Sequence, residues 1–119
     1  MREEGNVFFS VVIPTYERPG DLRICLNSLS DESQQESPTY EIIVSDDSKS
    51  AESRRMVESE FPSVSWGKGK QDGPAGNRNA GVSRASGKWI VFLDDDCIAQ
   101  ESYLDAYAKV IQTNSNIQA

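Results

Sequence analysis

The chain has 119 residues, of which 37% are hydrophobic and 26% charged, a composition ordinary for one soluble globular domain. Its net charge of −7 argues against a nucleic-acid surface and against an anionic membrane surface as partner. The absence of histidine excludes histidine-based catalysis and histidine metal ligation.

The sequence shows neither a targeting signal nor a cysteine pair at a metal-binding or redox spacing. The stretch Met1–Asn6 lacks the basic-then-apolar layout of a signal peptide, and no apolar run approaches membrane-spanning length. Cys25 and Cys97 lie in no metal or redox spacing. We therefore expect a cytoplasmic domain over residues 1–119, with free thiols and no membrane segment in this chain.

The first half of the chain predicts two strand–helix pairs. Val7–Ile13 is a strand that we expect Pro14 to end, and Pro19 suits the first turn of a helix. One apolar face of that helix carries Leu22, Cys25, Leu26 and Leu29. Tyr40–Val44 predicts a second strand. Ser50 is expected to cap a second helix, which runs to about residue 60.

The second half repeats the alternation. Val64–Trp66 predicts a short third strand, and a glycine-rich loop covers residues 67–74. Ala75–Ala85 is rich in small residues, which predicts a helix packed close against its neighbour and stopped by Gly87. Trp89–Leu93 is an unbroken apolar run, typical of a strand buried on both faces.

A last helix is predicted from residue 100 to about residue 113, with one apolar face formed by Leu104, Tyr107, Ala108 and Ile111. The element order is therefore β-α-β-α-β-α-β-α. This alternation predicts an α/β protein, a Rossmann-like parallel sheet flanked by helices.

Three adjacent carboxylates, Asp94, Asp95 and Asp96, follow the Trp89–Leu93 strand. Like charges this close repel one another, so a positive group is expected beside them. Mg²⁺ or Mn²⁺ takes carboxylate oxygens and commonly bridges them to phosphates. The alternative is a solvated acidic loop in which one residue caps the next helix.

Four segments in order resemble the signature blocks of the family 2 glycosyltransferases. They are Val12–Tyr16, Glu41–Ser48, Gly76–Gly81 and Gly87–Asp96. The resemblance implies the GT-A fold, a Rossmann-like sheet that binds a nucleotide sugar. It covers essentially the whole chain but only the N-terminal half of a typical member, so we expect a truncated fold.

The resemblance also implies roles for matching residues. Asp94–Asp96 is similar to the DXD element, in which Asp96 contacts a divalent cation, Mn²⁺ or Mg²⁺, and Asp94 reaches the ribose or the metal shell. Asp47 resembles the aspartate that reads the base, usually uracil. The expected donor-binding residues are Pro14, Thr15, Tyr16, Asp46, Asp47, Arg78, Asp94 and Asp95, and the expected metal ligands are Asp96 and Asp94.

Structural explanations compete with these roles. Asp46 and Asp47 could be a charge pair at a helix N-terminus, with Asp46 a hydrogen-bond acceptor in the turn. Arg78 could be an ordinary surface arginine, and Tyr16 could cover the sheet edge.

Two positions depart from the family pattern. Asparagine is usual where Glu17 stands, and glycine is usual where Ser48 stands. Serine does not readily adopt the positive φ that glycine tolerates, so the loop after Asp47 is expected to differ.

The resemblance predicts a metal-dependent, inverting transfer from a UDP-sugar to a sugar, lipid or protein acceptor that the sequence does not identify. The general base is expected outside this chain, because Glu101 and Asp105 are explained by the start of the last helix. Alone, the chain is expected to be inactive and to have an exposed sheet edge, through which it either dimerises or packs against the missing half of a longer protein. A receiver-like phosphoacceptor domain, a nucleotidyltransferase and a nucleotide-binding fragment without activity are the alternatives.

Overall fold

The structure, a computed structural model, describes residues 7–113. Residues 1–6 lie outside this range, and so does the expectation that they do not begin a signal peptide. The elements are β1 (Phe9–Thr15), α1 (Pro19–Asn27), β2 (Tyr40–Asp46), α2 (Glu52–Glu60), β3 (Ser65–Lys68), α3 (Pro74–Val82), β4 (Trp89–Phe92) and α4 (Tyr103–Thr113). The predicted alternation of strands and helices is confirmed. Within residues 7–113, no helix combines the length and the hydrophobicity that a membrane span requires.

The four strands form one parallel sheet in the order β3-β2-β1-β4. This order matches the first four strands of the doubly wound dinucleotide-binding fold, and the predicted Rossmann-like architecture is confirmed. A receiver domain would place β3 beside β1, so that alternative is wrong. The strand order reverses between β1 and β4, which leaves a crevice at their carboxyl ends, where ligands of such sheets bind.

The core lies between β1 and the helices that cover the sheet. Phe9, Val11 and Ile13 are fully buried, and the predicted apolar face of α1 (Leu22, Cys25, Leu26 and Leu29) is buried with them. Close packing of the small-residue helix α3 is also confirmed, because a side chain at Gly81 would collide with Val12 of β1.

Two predicted strand ends are wrong. β1 continues through Pro14 to Thr15. Its pairing with β4 ends at Val12↔Phe92, so the amide hydrogen that proline lacks is not needed on that side. β2 likewise extends to Asp46, whose partner in β1 is Thr15. These extensions carry Thr15 and Asp46 to the rim of the sheet.

The expectation that the fourth strand is buried on both faces is also wrong. Val91 is buried, but Phe92 is 49% exposed, because β4 is an outer strand of the sheet in the described range. Gly87 does not end α3, which stops at Val82. A side chain at residue 87 would instead come within 2.6 Å of the Ser10 amide nitrogen, so glycine permits a close approach to β1.

Three helix or strand details differ from the prediction. Ser50 does not cap α2, whose N-cap is Ala51 without a side-chain hydrogen bond. β3 begins at Ser65 and reaches Lys68, and α4 begins at Tyr103. Leu104 and Ala108 of α4 are buried as expected, whereas Tyr107 is 44% exposed.

Candidate functional site

A cavity of about 690 Å³ opens at the carboxyl ends of β1, β2 and β4. This volume lies in the range of small-molecule sites. Its wall comes from the loops after these strands, the loop before α3 and the first turns of α3. The lining residues are Pro14, Thr15, Tyr16, Arg18, Asp47, Lys49, Gln71, Gly73, Pro74, Asn77, Asp94, Asp95 and Asp96.

The middle carboxylate of the acidic triplet is held inside the protein. Asp95 is only 7% exposed, and its Oδ2 accepts a hydrogen bond of 2.7 Å from the Thr15 hydroxyl. Arg18 Nη1 lies 3.5 Å from Asp95 Oδ1. Burial raises the pKa of Asp95, against the lowering effects of the Thr15 hydrogen bond and the Arg18 charge. Asp95 therefore ties the turn after β4 to the end of β1.

The two outer carboxylates of the triplet, Asp94 and Asp96, are exposed at the cavity. One ligand atom each from Asp94, Asp96 and Cys97 lies within 4.8 Å of the others. Two carboxylates on a short turn suit a hard divalent cation such as Mg²⁺ or Mn²⁺, which prefers oxygen ligands. The donor chemistry at Asp94 and Asp96 thus fits the metal predicted for these residues.

The backbone of this turn is anchored from behind. The Asp94 carbonyl oxygen accepts from the Cys97 amide at 3.1 Å and from the Cys25 thiol of α1 at 3.6 Å. Burial, with smaller contributions from Cys97 and the nearby aspartates, raises the pKa of the Cys25 thiol to about 12. Cys25 is therefore a neutral packing residue whose thiol supports the acidic turn.

The two aspartates after β2 have different surroundings. The Asp46 carboxylate accepts from the Ser48 amide at 2.8 Å and from the Trp66 indole at 3.0 Å. Asp46 does not line the cavity. Asp47 lines it, and its Oδ1 accepts from the Gln71 amide at 2.9 Å. Asp47 Oδ2 has no hydrogen-bond partner within residues 7–113.

Asn77 joins three elements beneath the cavity. This residue is 4% exposed, accepts from the Ser45 hydroxyl at 2.8 Å and donates to the Thr15 carbonyl oxygen at 3.3 Å. Arg78, the next residue along α3, is exposed and does not line the cavity. The helix therefore presents asparagine to this crevice where the sequence had indicated arginine.

Seven of the predicted site residues lie at this one cavity: Pro14, Thr15, Tyr16, Asp47, Asp94, Asp95 and Asp96. Sequence reasoning missed Arg18, Lys49, Gln71 and Asn77. Asn77 stands in a signature block of the sequence, so its place there was an available signal. Arg18 lies 77 residues from Asp95 in the chain, and only the fold reveals that pairing.

Comparisons with known proteins show the family to which the chain belongs. The family model described as Glycosyl transferase family 2 matches residues 10–118. An uncharacterized glycosyltransferase of Haemophilus influenzae is 33% identical over 110 residues, which are 91% of this chain and 36% of that protein. The GalNAc(5)-diNAcBac-PP-undecaprenol beta-1,3-glucosyltransferase of Campylobacter jejuni is 34% identical over 92 residues, 73% of this chain and 29% of that protein.

Solved structures show the same fold. TarS 1-349 of S. aureus in complex with UDP-GlcNAc superposes with a TM-score of 0.73 and 26% identity, over 92% of this chain and 32% of that one. The chain thus spans about a third of the length of the proteins it matches.

Proposed function

The chain belongs to glycosyl transferase family 2, and on that premise we propose that it binds the nucleotide-diphosphate sugar donor of a glycosyltransferase. The donor proposed is a UDP-sugar. The whole protein would pass the sugar, with inversion, to a sugar, lipid or protein acceptor. The chain covers the donor-binding part of such an enzyme.

One observation carries the proposal. A single cavity brings Asp47, a hydrogen-bond acceptor suited to a base, together with Asp94 and Asp96, which suit a cation on a diphosphate. The cavity lies where the strand order reverses, which is the usual place for nucleotides in such sheets. Neither feature alone would distinguish a donor site from an acidic crevice.

At the diphosphate end, Asp94 and Asp96 would hold Mn²⁺ or Mg²⁺. When bound, the cation supplies positive charge that neutralises the diphosphate and stabilises it as a leaving group. Arg18 and Lys49 line the same cavity and add positive charge that favours an anionic ligand. Arg18 Nη1 lies 3.5 Å from Asp95 Oδ1 and 3.7 Å from Asp96 Oδ2, so its charge also offsets the acidic turn.

At the base end, we assign Asp47 to the uracil N–H, which a carboxylate accepts well. Tyr16, whose side chain is 54% exposed, offers an aromatic face beside the base, with Pro14 and Thr15 next to it. Thymine presents the same N–H, so uridine is preferred here on the family resemblance alone. Asp46 would act indirectly, by fixing the turn that carries Asp47.

Inverting transfer also needs a general base beside the acceptor hydroxyl. Asp105 Oδ2 is paired with Lys109 Nζ at 3.1 Å, and neither Asp105 nor Glu101 lines the cavity. We therefore propose that the base lies outside this chain, which binds the donor without transferring the sugar.

Isothermal calorimetry with UDP tests the donor site. Binding should require Mn²⁺ or Mg²⁺, because a diphosphate beside three carboxylates is repelled without a cation. Excess EDTA should abolish the binding heat, and ADP serves as the base control. Equal affinity with and without EDTA would contradict the metal role. Equal affinity for UDP and ADP would contradict the role of Asp47.

A further inference from the structure

The two departures from the family pattern, Glu17 and Ser48, contact each other. The Glu17 amide donates to Ser48 Oγ at 2.7 Å. In return, the Glu17 carboxylate accepts from the Lys49 amide at 2.9 Å, the Ser50 amide at 3.3 Å and the Ser50 hydroxyl at 2.7 Å. Four hydrogen bonds therefore join residues that lie more than 30 positions apart in the chain. We call this network the Glu17 clamp.

The clamp connects two loops that line the cavity. The loop after β1 carries Tyr16 and Arg18, and the loop after β2 carries Asp47 and Lys49. Glu17 itself is exposed and does not line the cavity. Its hydrogen bonds thus act on loops that line the cavity, while its own side chain stays outside the lining.

The backbone of Glu17 shows that the clamp has a conformational cost. Glu17 has φ of 52°, a left-handed conformation that asparagine adopts more easily than glutamate. The hydrogen bonds from Ser50 and Lys49 also lower the pKa of Glu17, so the carboxylate is ionised at neutral pH. The hydrogen bonds that the ionised Glu17 carboxylate accepts from two amides and a hydroxyl can offset the free-energy cost of this backbone conformation.

We propose that Glu17 is a positioning residue that holds these two loops in the geometry that accepts the donor's base. The inference rests on the proposed donor site. Without the clamp, the loops would populate the binding-competent geometry only part of the time. Apparent donor affinity would then fall in proportion to the competent fraction.

The experiment compares Glu17→Ala with Glu60→Ala in the 119-residue chain. Glu60 is a matched control, because its carboxylate accepts two hydrogen bonds of 2.8 Å from Arg23 of α1, 37 residues away, and it lies outside the cavity lining. Calorimetry with UDP and Mn²⁺ gives affinity. Amide hydrogen exchange without ligand reports whether the Lys49 and Ser50 amides lose protection.

We expect Glu17→Ala to raise the Kd for UDP about three- to tenfold, which corresponds to loops that adopt the binding-competent geometry about a third to a tenth of the time. Exchange at Lys49 and Ser50 should accelerate. Glu60→Ala should change neither quantity. Glu17→Gln should give an intermediate Kd, because its amide keeps one acceptor oxygen where the carboxylate has two.

The possible failures are distinguishable. If the unsubstituted chain does not bind UDP, the proposed function fails and the inference fails with it. If UDP binds and Glu17→Ala leaves its Kd unchanged, the inference alone is wrong. Equal weakening by Glu17→Ala and Glu60→Ala would also overturn it, because the effect would then be one of general stability.

Discussion

Replacement of Asp47 by asparagine should shift the base preference of the cavity from uracil towards cytosine. The Gln71 amide donates to Asp47 Oδ1 at 2.9 Å. In the variant, this hydrogen bond would hold the single side-chain oxygen in the Oδ1 place. The amide NH₂ group would then occupy the place of Oδ2.

The consequence for the ligand follows from donor and acceptor matching. The uracil ring N–H is a donor and would face another donor, whereas the corresponding cytosine ring nitrogen is an acceptor. Loss of a hydrogen bond to a charged acceptor costs roughly 1.5–3 kcal/mol. That corresponds to a loss of about 10- to 150-fold in UDP affinity. CDP should bind the variant more tightly than it binds the unsubstituted chain.

Calorimetry of UDP and CDP with Mn²⁺ measures the ratio of the two affinities. Asp47→Ala is the control, since it removes the acceptor without adding a donor and should weaken UDP without improving CDP. Asp105→Asn is a second control, because it also removes one negative charge but at a residue that does not line the cavity. It should leave the ratio of UDP to CDP affinity unaltered. An unchanged ratio in Asp47→Asn would refute the assignment of Asp47 to the base.

Three further predictions concern the metal, the reaction and assembly. Asp96→Asn should weaken Mn²⁺-dependent UDP binding more than Asp94→Asn does; similar UDP affinities in both variants and the unsubstituted chain would contradict the proposed ligands. The chain alone should transfer no sugar under conditions in which a full-length member of the family does, and comparable turnover would direct the search for a base to Glu17, Glu101 and Asp105. The outer edge of β4 should support a homodimer, which sedimentation velocity would detect; a monomer at all concentrations would exclude it.

The order and type of the elements could be predicted from the sequence, because hydrophobic periodicity is a local property of the chain. The apolar face of α1 and the small residues of α3 indicated their packing correctly. The acidic residues at strand ends also indicated where the cavity lies. In a parallel sheet, the carboxyl ends of the strands meet at one edge whatever the details of packing.

Long-range contacts give the three carboxylates Asp94, Asp95 and Asp96 different surroundings. Thr15 reaches Asp95 across 80 residues and makes the middle carboxylate a structural one, while Asp94 and Asp96 remain exposed at the cavity. No local pattern distinguishes three adjacent aspartates, because burial and partners depend on strand register.

Strand pairing also explains why Asp46 and Asp47 have different surroundings and why Glu17 contacts Ser48. Asp46 meets Trp66 only because β3 lies beside β2, and Glu17 meets Ser48 only because β1 and β2 end together. Residue types alone indicate which side chains are candidates for the chemistry. The pairing of distant segments decided which of them face the cavity, since a side chain's surroundings are set by neighbours that are far away in the chain.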